Sequence, residues 1–332
     1  MPKRKMKRPF LGNISKLFVI LTTIAMFFGC NDDPKVSEEV AKIPLNLEVS
    51  RFDLEFDGAK AEDIPKLKRK YPYLFPEQFA DSVWAAMLSD SLQLVLRSEV
   101  KKAFPDFKEQ RKGLELLYKH IRYYFPQQKV PRIITVTNNV DYQNRIIATD
   151  SLVLIGLDNY LGSGHEFYQG MSNYLAKGLE KRFLVSDVAS AFAKSVVPKP
   201  RERSFLAQMI YYGKELYLKD KLMPLASDAV KIGYTEDQLV WAAANEEPIW
   251  RNFVENEYLY STDTKLNPRF LDLAPFSKFG LELDNESPGR IGRYMGWQIV
   301  RAFMEKNSVS LQQLLNLPAD EIFKKSNYKP NK

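Results

Sequence analysis

The sequence predicts an α+β protein, mostly helical, with a small β-sheet in its N-terminal half. Three observations carry that class. Strand-like patterning clusters at 45–56 and 132–156, and beyond Gly164 almost every segment has helical spacing or helix punctuation. Strands early and helices late make the α+β order. The chain of 332 residues is 45% hydrophobic and 13% aromatic, enough for a sizeable core and too much for a disordered tail.

Taken in order, Leu45, Leu47 and Val49 alternate with Asn46, Glu48 and Ser50, and Phe52, Leu54 and Phe56 alternate with Asp53 and Glu55. Period two over that length predicts one half-buried strand. Residues 61–125 are helical in pattern, interrupted by prolines at 65, 72, 76 and 105. Phe79, Val83 and Met87 repeat every four residues, and Leu114, Leu117 and Ile121 every three or four, as core-facing stripes do. Arg132–Thr137 is a β-branched run, and Arg145–Ala148 and Leu152–Ile155 flank the turn-like Thr149-Asp150-Ser151, predicting a hairpin.

Helices are then expected over Ser186–Val197, with Ser186 as cap, and over Glu202–Lys219. Thr235-Glu236-Asp237-Gln238 has the form of a capping box and opens a helix to Glu247. The next starts after a break at Pro248 and runs over Ile249–Tyr260. The last are Arg290–Glu305, Ser310–Leu315 and Ala319–Lys325. Between 261 and 289 lies a loop with Pro268, Pro275, Pro288 and Gly289, long enough to suggest a functional segment or a lid.

The N-terminus has a different logic. Lys3, Arg4, Lys5, Lys7, Arg8 and Lys16 precede the apolar-rich Leu17–Phe28, which ends at Gly29-Cys30. Basic, apolar and small-residue zones in that order predict a secretory signal peptide over residues 1–29. The apolar run is shorter than the roughly 20 residues that span a bilayer. Gly29-Cys30 is similar to the lipobox of bacterial lipoproteins, although Phe27 and Phe28 stand where leucine and a small residue are usual. The resemblance implies acylation of Cys30, the only cysteine, with two or three chains that anchor stably where one does not. Residues 30–43 then form the lipidated cysteine and a polar, flexible tether. Residues 44–332 form one extracytoplasmic domain, held at a lipid bilayer and facing the periplasm from the cytoplasmic or outer membrane.

That division reinterprets the charge. The net +7 includes six basic residues of the signal segment, which has no acidic ones; the rest holds 42 basic against 41 acidic side chains. A near-neutral mature chain offers no phosphate-backbone footprint, so nucleic acid is not an expected partner.

Residue types limit the chemistry as well. His165-Glu166 begins like a zinc-protease helix, but Gln169 stands where the second histidine is needed, and two imidazoles at i and i+4 are what reach one zinc. His120 sits on a helix between Leu117 and Tyr124, as an interior histidine does. There is no Gly-x-Ser-x-Gly elbow. No cofactor or metal and no catalytic residue is therefore expected. Gly292 and Gly296, one turn apart, allow close packing of a neighbouring element. Arg290 and Arg293 near a helix start offer an anion or carboxylate site. Asn245-Glu246-Glu247-Pro248-Ile249-Trp250-Arg251 is the densest polar-aromatic cluster. Glu246 or Glu247 pairing with Arg251, Arg290 or Arg293 across the fold would make Glu246, Glu247, Trp250, Arg290 and Arg293 one binding region.

Several ordered segments carry a further likeness. They include Glu48-Val49-Ser50-Arg51-Phe52-Asp53, Asn159-Tyr160-Leu161-Gly162 and Met209-Ile210-Tyr211-Tyr212-Gly213-Lys214. They continue through Asp237–Trp241, Asn245–Trp250, Ala274–Phe279, Ser287–Gly292, Gly296–Val300 and Ser326–Pro330. With them the chain resembles the GldB gliding-motility lipoprotein family of Bacteroidetes. The resemblance implies a membrane-anchored lipoprotein required for gliding and for the associated type IX secretion apparatus, with protein partners in that machinery. It supplies no catalytic motif. The second half also resembles, distantly, a degenerate zincin: the corresponding first helix, Asp187–Val197, has no histidine, and Tyr212-Gly213 stands where such enzymes place a glutamate before glycine. A non-enzymatic accessory protein is the leading expectation. A divergent hydrolase using the Glu246/Glu247/arginine cluster, and a carrier of a peptide or small ligand in the vacated cleft, are its rivals.

Overall fold

A computed structural model describes residues 37–281 and 284–331. The signal segment, Cys30 and the first part of the tether lie outside the described residues.

Where the sequence reading places the end of a flexible tether, Ser37 caps a short helix, α1 (Glu38–Ala41). Glu39 accepts from the Tyr123 hydroxyl at 2.7 Å and the Ala41 carbonyl from Lys119 at 2.7 Å, so this piece is docked on the domain. The strand expected over 45–56 is cut short. β1 is only Val49–Arg51, and Phe52–Asp57 is a helix, α2. The cause is tertiary. Asp53 turns inward, where it accepts from Thr135 Oγ1 at 2.5 Å and from the Arg51 guanidinium at 2.6 and 2.9 Å. Phe52 and Phe56, four apart, then pack ring to ring on one helix face.

The helical stretch that follows forms α3 (Ile64–Lys70), α4 (Asp81–Ser89), α5 (Ser91–Ala103) and α6 (Lys108–Tyr124). Of the two expected stripes, Leu114, Leu117 and Ile121 on α6 are buried, whereas Phe79 and Val83 near α4 are exposed. β2 (Arg132–Val136), β3 (Ile146–Ala148) and β4 (Leu152–Gly156) complete one sheet of order β1-β2-β4-β3. β1, β2 and β4 run parallel, and β3 closes the expected hairpin antiparallel to β4. Alternation divides the sheet's side chains between two cores. Ile133, Val153 and Ile155 join the main core, whereas Ile134, Leu152 and Leu154 pack with Phe56, Leu67, Tyr71 and Phe75.

The remainder is helical. α7 (Asn173–Ala176) precedes α8 (Leu184–Val196), α9 (Phe205–Leu222), α10 (Asp228–Ile232) and α11 (Glu236–Ala244). Then come α12 (Glu246–Glu255), α13 (Leu266–Phe270), α14 (Ile291–Lys306), α15 (Leu311–Asn316) and α16 (Ala319–Ser326). The expected capping box of α11 forms between Thr235 and Gln238. Two boundaries differ from expectation. Ser186 is not a cap but lies within α8, donating to the Val230 carbonyl at 2.8 Å. Pro248 does not break a helix: it occupies the first turn of α12, where a missing N–H costs nothing, and the break falls at Asn245.

α9 and α14 form the centre of the C-terminal half. Gly213 and Gly296 meet there, and a Cβ on Gly296 would overlap the Met209 carbonyl while one on Gly213 would overlap the Gly296 carbonyl. Ile291, Met295 and Ile299 are fully buried, as their four-residue spacing requires. The C-terminal part of the 261–289 segment is packed onto the domain: Phe279 lies against Phe253 and Phe270, and Ser277 donates to the Pro288 carbonyl at 2.7 Å.

Candidate functional site: a cationic cleft beside the sheet edge

The helix α9 is buried on nearly all sides, so its polar residues need internal partners or a cavity. Tyr212, Glu215, Leu216 and Lys219, spaced i, i+3, i+4 and i+7, line a cleft of about 740 Å³. Asp187, Ser190, Ala191 and Lys194 of α8 repeat that spacing on the facing wall. Such spacing puts each set on one helix face. Arg145, Ile146 and Ala148 supply the sheet side, and Arg290 and Arg293 the start of α14. A narrower chamber of about 120 Å³ adjoins it, sharing Arg145, Asp187, Ser190, Lys219 and Arg290 and adding Ser186, Gly233 and Tyr234.

Cations dominate these walls: Arg145, Lys177, Lys194, Lys219, Lys231, Arg290 and Arg293 face only Asp187 and Glu215. Asp187 is committed, accepting from Arg145 at 2.9 and 3.0 Å and from the Tyr160 hydroxyl at 2.9 Å. Lys231 is committed to Asp220 and Asp228. Lys219 has no carboxylate; it donates to Ser186 Oγ at 2.9 Å and the Lys231 carbonyl at 2.7 Å, and burial lowers its pKa to about 7.

Arg290 is held in place by backbone. It sits at φ 63°, in the left-handed region, donates to the Gly233 carbonyl at 3.0 Å and lies over the Tyr234 ring. Burial lowers its pKa to about 10. Arg293 is half-buried: its guanidinium stacks 3.8 Å from the Tyr212 ring centroid and donates to the Leu271 carbonyl. Both guanidinium groups are fixed by neutral partners, and Asp187 and Glu215 act on them only through space. Glu215 is 7% exposed, its Oε1 has no hydrogen-bond partner, and burial raises its pKa against the pull of Lys194, Arg293 and Lys219.

The five residues expected to form one region do not come together. Glu246 is 1% exposed and accepts from the hydroxyls of Tyr294 and Tyr328 and from the Asn331 backbone and side chain. Four donors replace a cation there and clamp the C-terminal segment onto α12. Trp250 packs edge-on to Tyr328 and against Phe323 in the same clamp. Glu247 pairs with Arg251 at the surface, one of the partners its spacing allowed. Only Arg290 and Arg293 reach the cleft. Asp187, Glu215, Lys219 and Arg145 complete it unforeseen; the available signal was a polar stripe on a helix otherwise apolar all round.

His120 is buried and its Nδ1 bonds the Leu116 carbonyl at 2.9 Å, while His165 faces Glu99 at 3.4 Å. Among the described residues no three His, Cys, Asp or Glu side chains gather as metal ligands.

A family model described as gliding motility protein GldB matches residues 33–330. The chain belongs to the GldB family. Membership involves it in gliding motility and marks it as an envelope-associated lipoprotein. No curated protein and no solved structure matches it, so the likeness to zincins has no support from a known fold. Among the described residues, no helix is long and apolar enough to cross a membrane. The GldB match covers both walls of the cleft, the glycine contact and Glu246 with its two tyrosine partners.

Proposed function

We propose that this GldB-family protein is a non-enzymatic accessory of the gliding machinery and its type IX secretion apparatus. It is lipid-anchored through acylated Cys30 after removal of residues 1–29, faces the periplasm, and acts by binding at the cationic cleft. One observation carries the reading: Arg290 and Arg293 are held by backbone carbonyls and tyrosine rings, in a cleft lined by more cations than carboxylates. Cations fixed in advance lose little entropy on meeting an anion, and that is how a binding site is organised. The Glu246/Glu247 pair expected of a hydrolase lies outside the cleft, in the clamp and at the surface, and of the cleft's own two carboxylates Asp187 is tied to Arg145.

Two substitutions test this. Cys30→Ser should release the protein from membranes or leave it as precursor, and abolish gliding; a substituted protein matured and membrane-bound at wild-type level would refute the anchor. Arg293→Gln should impair gliding or secretion while stability falls by only about 1 kcal/mol, the cation–π contribution. Normal gliding in cells carrying that variant would remove the cleft from the function.

A further inference from the structure

The cleft has a second chemical feature besides charge. β3 is an edge strand, and its ladder to β4 uses odd-numbered residues: Gly156 N–H donates to the Arg145 carbonyl at 2.9 Å and Thr149 N–H to the Leu152 carbonyl at 2.8 Å. The backbone N–H and C=O groups of Ile146 and Ala148 therefore face away from β4, and both residues line the cleft. An edge strand with free amide groups is a template for another strand. Here the template borders a cavity whose far walls are cationic, and the exposed edge lacks the lysine or proline that commonly blocks such edges.

We infer that the cleft binds an extended peptide segment that adds as a strand to β3 and places a carboxylate against Arg290 and Arg293. The inference rests on the binding reading above and names the ligand class. Backbone pairing supplies affinity in this mode, and pockets for alternate side chains supply specificity. Charge complementarity fixes the occupant: an excess of cations meets an anionic segment and repels a basic one. Glu215 also lines the cleft, 7% exposed and with an Oε1 that has no hydrogen-bond partner. The carboxylate can come from an acidic side chain or from a chain terminus; the chemistry at the arginines is the same.

A display library of random dodecapeptides, panned on the full chain in detergent, tests the proposal. The enriched peptides are resynthesised with a free or an amidated C-terminus and with each Glu or Asp changed to Gln or Asn. Enriched sequences should share a carboxylate, and its removal should weaken binding at least tenfold. Sensitivity to amidation identifies a terminus, and sensitivity to the side-chain change identifies an acidic residue. Ala148→Pro deletes one outward N–H and leaves the β3–β4 ladder, and it should weaken the same peptides at least tenfold with an unchanged melting temperature. Arg290→Gln should do likewise, and the two variants guard against misfolding of either.

No enrichment, or peptides that bind both variants as wild type, would overturn the inference. So would binding that inorganic phosphate displaces fully while Ala148→Pro leaves it intact, since that describes an anion site without strand pairing. If Arg290→Gln abolishes gliding and no peptide binds, the ligand class is wrong and the accessory role stands. If peptides bind and Cys30→Ser cells glide normally, the reverse holds.

Discussion

The two faces of α9 solve opposite problems. Toward α14 it presents Met209 and Gly213, and the helices approach until backbone touches backbone, with no room for a single added carbon. Toward α8 and the sheet edge it presents Tyr212, Glu215 and Lys219, which line a cleft of about 740 Å³ while Lys219 still reaches Ser186 of α8 at 2.9 Å. The closed face is held by close packing, and the open face by hydrogen bonds to carbonyls. The closed face gives the open one its precision. Arg290 and Arg293 lie at the start of the helix that the glycine contact locks in place, so their guanidinium groups inherit its rigidity. Stability and recognition are thus separable in this chain. Changes on the closed face should cost folding, and changes on the open face should cost binding.

The largest effect is expected at the glycine contact. Gly296→Leu pushes a side chain into the Met209 carbonyl, which is backbone and cannot turn aside. The loss should reach or exceed about 3 kcal/mol, the top of the overpacking range. A urea midpoint within error of wild type would show that the helices can separate, and would dissolve the contrast between the faces.

Glu246→Ala comes next and tests which side that residue belongs to. Two tyrosine hydroxyls and both Asn331 donors would lose their acceptor. At about 1–3 kcal/mol for leaving buried partners unsatisfied, the domain should weaken measurably. Amide exchange should accelerate at residues 327–331, with peptide binding at the cleft retained. Loss of binding without loss of protection would return Glu246 to the site.

A pH slope provides the third test, on the open face. Lys219 releases its proton at about 7 in the folded chain and at about 10.4 when unfolded. Between those values the unfolded chain binds more protons, so this group's contribution rises with pH and is lost as pH falls through about 7. Lys214, lowered by burial to about 8, acts in the same direction. The melting temperature should climb from neutral pH until the tyrosines begin to oppose it near about 10. Lys219→Met should flatten that climb, and Lys214 should preserve part of it. Equal slopes in the two proteins would mean Lys219 stays charged, with an anion or water in the cleft completing its shell.

Much of the fold was legible because it depends on local pattern. The Thr235–Gln238 capping box, the 146–155 hairpin and the Ile291-Met295-Ile299 stripe each follow from residues within a few positions of one another. The strand expected over 45–56 failed because Asp53 was counted as a solvent-facing alternation. Its partner, Thr135, is 82 positions away, and no period reveals that hydrogen bond. The site failed for a related reason. Glu215 and Lys219, four apart, resemble a solvated face, and only the burial of the rest of α9 turns them inward.

By itself the sequence determined the family, the mostly helical α+β class and a glycine-lined face on α14, because each is written in residue types and short spacings. It also placed six of the seven net positive charges in residues 1–29. The tertiary structure alone decided which charges meet. It sent Glu246 and Trp250 to a clamp and Glu247 to the surface, and it brought Arg290 and Arg293 to Glu215, Lys219 and the free edge of β3. The physical reason is that charge–charge and strand-edge geometry depend on distances between segments. Those distances are set by the packing of α8, α9 and α14, which no local stretch of the chain contains.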